Sequence, residues 1–150
     1  MLHSYTKIYI HLIWATKNRV KFLKKEDCPF VLHHISDYAE KNQINLEALN
    51  VQREHVHVLI NLPSDQKVES VVHLLKGESS HWVNHKNLIT QKFAWQRGYS
   101  AFSISPSHYD QVKLYIQNQD EHHRKRTFTE EYHTLLSKHG FLHTETDESV

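Results

Sequence analysis

Hydrophobic and polar residues alternate along the first part of the chain in the pattern of a β-strand. Over residues 5–15 the side chains at even positions are mostly apolar and include Leu12 and Trp14. The odd positions carry both polar and apolar side chains, among them His11. Successive side chains of a strand point to opposite faces, so one face of this strand is predicted to face a core. Residues 26–41 then carry apolar side chains at helical spacing, and Pro29 is compatible with a first helical turn.

The rest of the chain continues to alternate between strand and helix patterns. Residues 44–51 and 55–62 predict the two strands of a hairpin, joined by a short polar link. Helical spacing resumes over 68–84, and the aromatic segment 93–105 ends in alternation that predicts a further strand. We expect a helix over 108–123 with Ser107 as its cap, and a last short helix over 129–138 that stops at Gly140.

This order of elements, β-α-β-β-α-β-α, predicts an α+β fold. The expected architecture is a split β-α-β (ferredoxin- or RRM-like) two-layer sandwich, in which an antiparallel sheet carries helices on one face. A length of 150 residues with 39% apolar residues suits one domain. We assign that domain to residues 1–143 and interpret residues 144–150 as an acidic, flexible tail.

Composition excludes several classes of protein. No apolar run approaches the length of a membrane span, and the first residues lack a signal-peptide pattern, so we expect a cytoplasmic protein without a membrane partner. Cys28 is the only cysteine, which excludes an internal disulfide and a thiolate zinc cluster within one chain. A net charge of +1 does not indicate a general polyanion-binding protein, although basic residues cluster in two runs.

Two histidines, His55 and His57, lie two residues apart in the second strand of the predicted hairpin. The strand period places both on one face. Because 15 of the 150 residues are histidine, about one such pair is expected by chance, and ordinary sheet histidines are a real alternative. Glu54 could orient a ligand or be an exposed hairpin carboxylate, and His11 could flank the site or hydrogen-bond within the sheet.

Tyr115 and Gln119 are four residues apart in the predicted helix over 108–123, which places a phenol beside an amide oxygen. Two imidazoles and one amide oxygen suit Mg²⁺ or Mn²⁺ with positions left open for a phosphate oxygen. His122, on the same helical stripe, is the second candidate for the role of Gln119. A nearby phenol could attack phosphorus and form a covalent phosphotyrosine. Spacing alone does not bring the strand pair and the helix pair together.

The chain resembles the single-tyrosine HUH transposases, the family that moves insertion sequences through single-stranded DNA and includes relatives associated with repetitive extragenic palindromes. The resemblance spans residues 5–132 and runs in the family's order. It rests on the segments 9–17, 54–60, 74–80, 95–99, 102–105 and 115–123.

This resemblance implies that His55, His57 and Gln119 are metal ligands and that Tyr115 is the nucleophile. The implied function is a DNA transposase that cleaves and rejoins single-stranded DNA at hairpin-bearing ends. It would form a 5′-phosphotyrosine and a free 3′-hydroxyl, with Mg²⁺ or Mn²⁺ and no nucleotide cofactor. The implied partners are hairpin-bearing single-stranded DNA and a second copy of the chain, in a homodimer in which Tyr115 could act in trans.

Basic and aromatic side chains supply candidates for contacts to DNA phosphates and bases. They are Lys17, Arg19, Lys21, Arg53, Lys76, Trp95, Arg97, Arg124, Lys125 and Arg126. Two other functions stay open: a domesticated, non-cleaving module that binds nucleic-acid hairpins, and a metal-dependent hydrolase that would continue to turn over without Tyr115.

Overall fold

The strands and helices follow the predicted order, except that the expected helix after the last strand is divided in two. A computed structural model describes residues 3–141, and the predicted acidic tail at 144–150 lies outside them. Within the described residues the elements are β1 (Tyr9–Ala15), α1 (Cys28–Lys41), β2 (Leu46–Val51), β3 (His55–Asn61), α2 (Val68–His85), β4 (Ser100–Ile104), α3 (Tyr109–Gln117), α4 (Gln119–Lys125) and α5 (Phe128–Lys138).

The four strands form one antiparallel sheet in the order β2-β3-β1-β4. The two central strands pair with Ile13 opposite His57 and Ala15 opposite His55. Each of the two central strands lies between two neighbouring strands, which makes β3 a rigid support for its side chains. The predicted α+β class with an antiparallel sheet is confirmed.

One face of the sheet carries the main hydrophobic core. Its centre is formed by Leu12 and Trp14 of β1 and by Val56 and Val58 of β3, all of them fully buried. The two helices that connect strands, α1 and α2, pack on this face and bury their own apolar stripes there. Pro29 stands in the first turn of α1, as predicted, because a first-turn residue needs no intrahelical hydrogen-bond donor.

The opposite face of the sheet is also covered by helices, which the expectation of helices on one face did not include. Ile116 of α3 packs on Leu59, and Phe128 of α5 packs with Ile13 and Phe102. The sequence did not predict this layer, because the face that it covers carries histidines. Polar residues on one face of a strand are typical of a face that is exposed to solvent. Helices α3 and α5 bury that face, so the sheet is sandwiched between two helical layers.

The predicted helix over 108–123 is interrupted at Asn118, whose backbone (φ −98°, ψ 30°) leaves the helical region. Ser107 is not the cap of α3; it lies in a short 3-10 turn, and His108 occupies the cap position. Asparagine is a weak helix former, which favours a break at this position. Tyr115 and Gln119 stay neighbours across the break, because the Gln119 amide donates to the Tyr115 carbonyl at 3.2 Å.

Helix α5 matches the predicted last helix closely. Thr127 caps it by accepting a hydrogen bond from the Glu130 backbone N–H at 3.2 Å. The chain turns away at Gly140, whose φ of 83° is a conformation that glycine adopts without strain. Among residues 3–141, no helix combines the length and the apolar character that crossing a membrane requires.

Candidate active site

His55 and His57 point to the same face of β3, as the strand period predicts, and both side chains are completely buried. They lie under α3, α4 and α5. Burial lowers the pKa of His57 to about 4, although a hydrogen bond to the Glu131 carboxylate acts in the opposite direction. His57 is therefore a neutral imidazole at neutral pH, which is the form that binds a metal ion.

In both histidines, Nδ1 is the ring nitrogen nearer to the backbone, and it contacts a different partner in each. The Nδ1 atom of His55 lies 2.5 Å from Oε1 of Glu54, and the Nδ1 atom of His57 lies 2.9 Å from Nε2 of His11. Glu54 is 9% exposed and His11 is 3% exposed, so both contacts are shielded from water. The two Nε2 atoms are left to face the space under α4 and α5.

Glu131 of α5 supplies a carboxylate that the sequence interpretation missed. Its Oε1 atom lies 2.8 Å from Nε2 of His57, and donor atoms of His55, His57 and Glu131 all lie within 4.8 Å of one another. A signal was present in the sequence: Glu131 falls between Phe128 and Leu135 on the apolar stripe of α5, where an acidic residue is unusual. That signal marks a buried carboxylate but not its partner.

Gln119 also reaches the histidine pair. Its Oε1 atom lies 3.4 Å from Nε2 of His55 and 3.0 Å from Nε2 of His123, and the side chain is completely buried. His123 in turn lies 3.4 Å from Oε2 of Glu131. His122, the alternative to Gln119, is instead placed against Tyr115, with ring centroids 4.7 Å apart.

The four donor groups fit a divalent metal ion. Two imidazole nitrogens, one carboxylate oxygen and one amide oxygen form a mixed set of nitrogen and oxygen ligands. Bonds of about 2.1 Å to an octahedral ion put adjacent ligand atoms about 3 Å apart. The separations of 2.8 Å between His57 and Glu131 and 3.4 Å between His55 and Gln119 bracket that value.

Tyr115 lies against the cluster within the same chain. Its ring packs edge-on to His57, with centroids 5.8 Å apart, and to His11 at 6.3 Å. Burial and the facing Glu131 carboxylate raise the pKa of the Tyr115 phenol, whereas Gln119 acts to lower it. Tyr115 is thus a protonated phenol beside His57 and His11 of the same chain.

Aromatic stacking holds α5 over the site. The ring of Phe128 stacks on His55 at 3.9 Å between centroids and 10° between planes. The Arg19 guanidinium lies 5.6 Å from the centroid of the Phe128 ring and 5.5 Å from that of Tyr132, and it donates to the Thr129 hydroxyl at 2.9 Å. Arg19 therefore links the segment after β1 to the helix that carries Glu131.

Several predicted DNA contacts line two cavities that meet beside the cluster. A cavity of about 420 Å³ contains Arg19, Lys21, Arg53 and Arg126, and one of about 470 Å³ contains Arg53 and Arg124. Both cavities are also lined by His123, which touches Gln119 and Glu131. The basic residues thus surround the approach to the candidate metal ligands.

Other predicted contacts lie elsewhere. Lys17 and Lys125 do not line either cavity. Lys76 donates to the carbonyls of Gln96, Arg97 and Gly98 at 2.6, 3.1 and 3.0 Å, so its ammonium group holds the loop before β4. Trp95 donates to Ser79 at 2.9 Å and packs edge-on against Trp14 and Phe93. Arg97 and Trp95 line a third cavity, between α2 and this loop.

Comparisons with known proteins show which family and which solved structures this chain is similar to. A family model described as "Transposase IS200 like" matches residues 4–119. The ISDra2 transposase TnpA of Deinococcus radiodurans is 27% identical over 116 residues, which are 74% of this chain and 83% of that protein. Glu131 lies beyond the residues that the family model matches.

Two solved structures are similar in fold. A candidate transposase from Deinococcus radiodurans superposes with a TM-score of 0.64 at 28% identity and covers 79% of this chain and 95% of its own. A REP-associated tyrosine transposase, solved with a REP hairpin bound, superposes with a TM-score of 0.59 at 19% identity and covers 95% of this chain and 74% of its own. At 19% identity the similarity concerns the fold.

Proposed function

Since the chain belongs to the family of IS200-like transposases, we propose that it cleaves and rejoins single-stranded DNA at hairpin-bearing ends through a covalent 5′-phosphotyrosine. One observation carries the proposal. A phenol, Tyr115, packs against His57 within a buried cluster that also contains His55, Gln119 and Glu131. This combination is what a strand transfer without water requires: a nucleophile next to groups able to hold a cation and a phosphate.

The phenol oxygen of Tyr115 attacks the scissile phosphorus in line with the leaving 3′ oxygen. The oxygen–phosphorus bond to Tyr115 forms, the bond to the 3′ oxygen breaks, and the 5′ phosphate stays on the enzyme. The phenol gives up one proton and the 3′ oxygen takes up one. Attack by another 3′-hydroxyl reverses these changes and rejoins the strand, so neither water nor a nucleoside triphosphate is consumed.

The cluster would hold the divalent cation through Nε2 of His55 and His57, Oε1 of Gln119 and the Glu131 carboxylate. When bound there, Mg²⁺ or Mn²⁺ polarises the phosphodiester and offsets negative charge at phosphorus. Glu54 and His11 orient the two imidazoles, because each engages the nitrogen that is not aimed at the cluster.

We expect this site to act in cis, because Tyr115 already contacts His57 of its own chain. The homodimer implied by the family resemblance stays a prediction. The DNA backbone is expected to follow the two cavities beside His123, where Arg53 lines both and Arg126 and Arg124 line one each. Phosphate contacts of this kind give affinity that falls with salt and do not by themselves read sequence.

The decisive experiment compares wild type, Tyr115→Phe and Tyr109→Phe on hairpin-bearing single-stranded DNA with Mg²⁺ or Mn²⁺. Tyr109 is a matched control on the same helix, because its hydroxyl donates to Glu47 at 2.8 Å rather than facing the cluster. We expect a protein–DNA adduct that survives denaturation in wild type and Tyr109→Phe, and none in Tyr115→Phe.

Other outcomes would select the alternative functions. Hairpin binding without an adduct in any of the three proteins would favour a non-cleaving binding module. Cleavage that persists in Tyr115→Phe would exclude the tyrosine mechanism and favour a metal-dependent hydrolase.

A further inference from the structure

We propose that His11 is a positioning residue whose hydrogen bond to His57 reverses its donor and acceptor when a divalent cation binds. The inference rests on the proposed metal site and adds a specific role for a residue of β1. It predicts that the two ligand histidines are supported differently. A carboxylate holds His55 in the tautomer that binds the cation. His57 changes to its binding tautomer with the help of a second imidazole.

Sheet register places His11 next to His57. His11 pairs with Leu59 across β1 and β3, so His57 is its diagonal neighbour on the same face, within reach of a ring side chain. The two nitrogens are 2.9 Å apart, and the rings are nearly parallel, with centroids 5.1 Å apart and planes at 28°. His11 also packs edge-on to Tyr115. It therefore touches both a ligand histidine and the nucleophile.

In the metal-free protein, the donor in each of these hydrogen bonds follows from the partner of each ring nitrogen. An ionised carboxylate only accepts, so the contact of 2.8 Å between Nε2 of His57 and Glu131 requires the proton on Nε2. In a neutral His57 the other nitrogen, Nδ1, has a lone pair and accepts. His11 must then donate its own Nε2 proton to Nδ1 of His57.

Binding of a cation by Nε2 of His57 requires the opposite arrangement. That nitrogen must offer its lone pair, so the ring proton must sit on Nδ1 and be donated to Nε2 of His11. The proton on Nε2 of His57 is lost, the shared proton moves from His11 to His57, and Nδ1 of His11 takes up one proton. Both rings stay neutral, and the hydrogen bond persists with its direction reversed.

The partner of His55 cannot behave in this way. Glu54 accepts from Nδ1 of His55 at 2.5 Å in both states, so the proton on Nδ1 stays in place and Nε2 of His55, 3.4 Å from Oε1 of Gln119, continues to face the cluster. A carboxylate at position 11 would fix His57 in the same manner. An imidazole at position 11 serves both states because it can donate or accept through Nε2, and few side chains have that property.

The test is ¹⁵N–¹H long-range correlation NMR of the histidine rings, recorded with and without Mg²⁺. We expect His57 to change from the Nε2–H to the Nδ1–H tautomer on saturation, His11 to change from Nε2–H to Nδ1–H, and His55 to stay Nδ1–H throughout. A His57 ring that keeps one tautomer, or a His11 ring that does not change, would overturn the inference while leaving the metal site intact. An absence of any Mg²⁺-dependent change in His55 and His57 would overturn the metal site as well.

Variants separate the hydrogen bond from simple packing. Glutamine places its amide where Nε2 of histidine lies and can donate or accept, whereas leucine fills similar space and can do neither. We expect His11→Leu to weaken Mn²⁺ affinity about 10–100-fold and His11→Gln to stay near wild type. Phe102→Leu alters a ring beside His11 without touching the hydrogen bond, and should keep wild-type affinity.

Two results would contradict a positioning role for His11: wild-type affinity in His11→Leu, or an equal loss in His11→Gln and His11→Leu. If His11→Leu does not fold, the glutamine variant and the wild-type tautomers still decide, because neither depends on the leucine protein.

Discussion

Acidification should destabilise the metal-free protein, and His57 should account for a measurable part of that effect. Burial holds the pKa of His57 at about 4, against an ordinary value of 6.5. Between these values an unfolded chain binds a proton on His57 and the folded chain does not. The unfolded state therefore binds more protons, and stability falls as the pH decreases through this window.

The magnitude follows from the two pKa values. A pH of 5 lies about 1.5 units below the ordinary pKa of 6.5. At this pH the unfolded histidine is almost fully protonated, and the folded one is still mostly neutral. At 1.36 kcal/mol per unit this corresponds to about 2 kcal/mol lost between pH 7.5 and pH 5 from His57 alone. The pKa values of Glu54 and Glu131 are lowered by their histidine partners despite burial, so their contributions are lost at lower pH than this window.

The assay is urea unfolding at pH 7.5 and pH 5 with EDTA present, on wild type and His57→Gln. Glutamine keeps a polar amide between His11 and Glu131 but does not titrate. We expect the pH-dependent loss to be about 2 kcal/mol smaller in the variant. Val83→Ala, which removes buried apolar volume without a titratable group, should lower stability equally at both pH values. The same pH dependence in His57→Gln and wild type would refute the reasoning.

Three further substitutions test single contacts. Glu131→Gln keeps an oxygen beside His57 but removes the charge, and should weaken Mn²⁺ affinity about 10–100-fold in an electron paramagnetic resonance titration; unchanged affinity would exclude Glu131 as a ligand. Thr127→Ala removes the cap of α5 and should cost about 1 kcal/mol in urea unfolding, whereas no loss would mean that the cap is not stabilising. Lys76→Met should destabilise the fold by about 1–3 kcal/mol and leave the salt dependence of DNA binding unchanged; a slope reduced by about one would instead identify Lys76 as a phosphate contact.

Much of the fold could be predicted from the sequence because its signals are local. The alternation along β1 and β3 and the apolar spacing of α1 and α2 are properties of neighbouring residues, and they identified both the elements and the core face. The second helical layer was not predictable in this way. The face that it covers carries His11, His55 and His57 among apolar residues, and polar positions give no indication of whether water or a helix lies above them.

The candidate site was likewise predictable only where its residues are related by local spacing. The strand period was enough to place His55 and His57 side by side, and helical spacing was enough to keep Gln119 near Tyr115. Glu131 is 74 residues from its partner His57, so no local pattern connects them. A buried acid on the stripe of α5 indicates only that some partner exists.

The choice between His122 and His123 shows how tertiary packing completes a local prediction. Within α4 each residue rotates by about 100°, so His122 and His123 lie on opposite sides of Gln119, and the fold places His122 on the Tyr115 side. Periodicity therefore restricts the neighbouring imidazole to these two, and the position of α5 decides between them. Because Glu131 approaches from the far side, His123 contacts both Gln119 and Glu131. His122 packs on Tyr115 instead. The imidazole that lines both cavities of the proposed DNA path is therefore His123, which helical spacing did not identify.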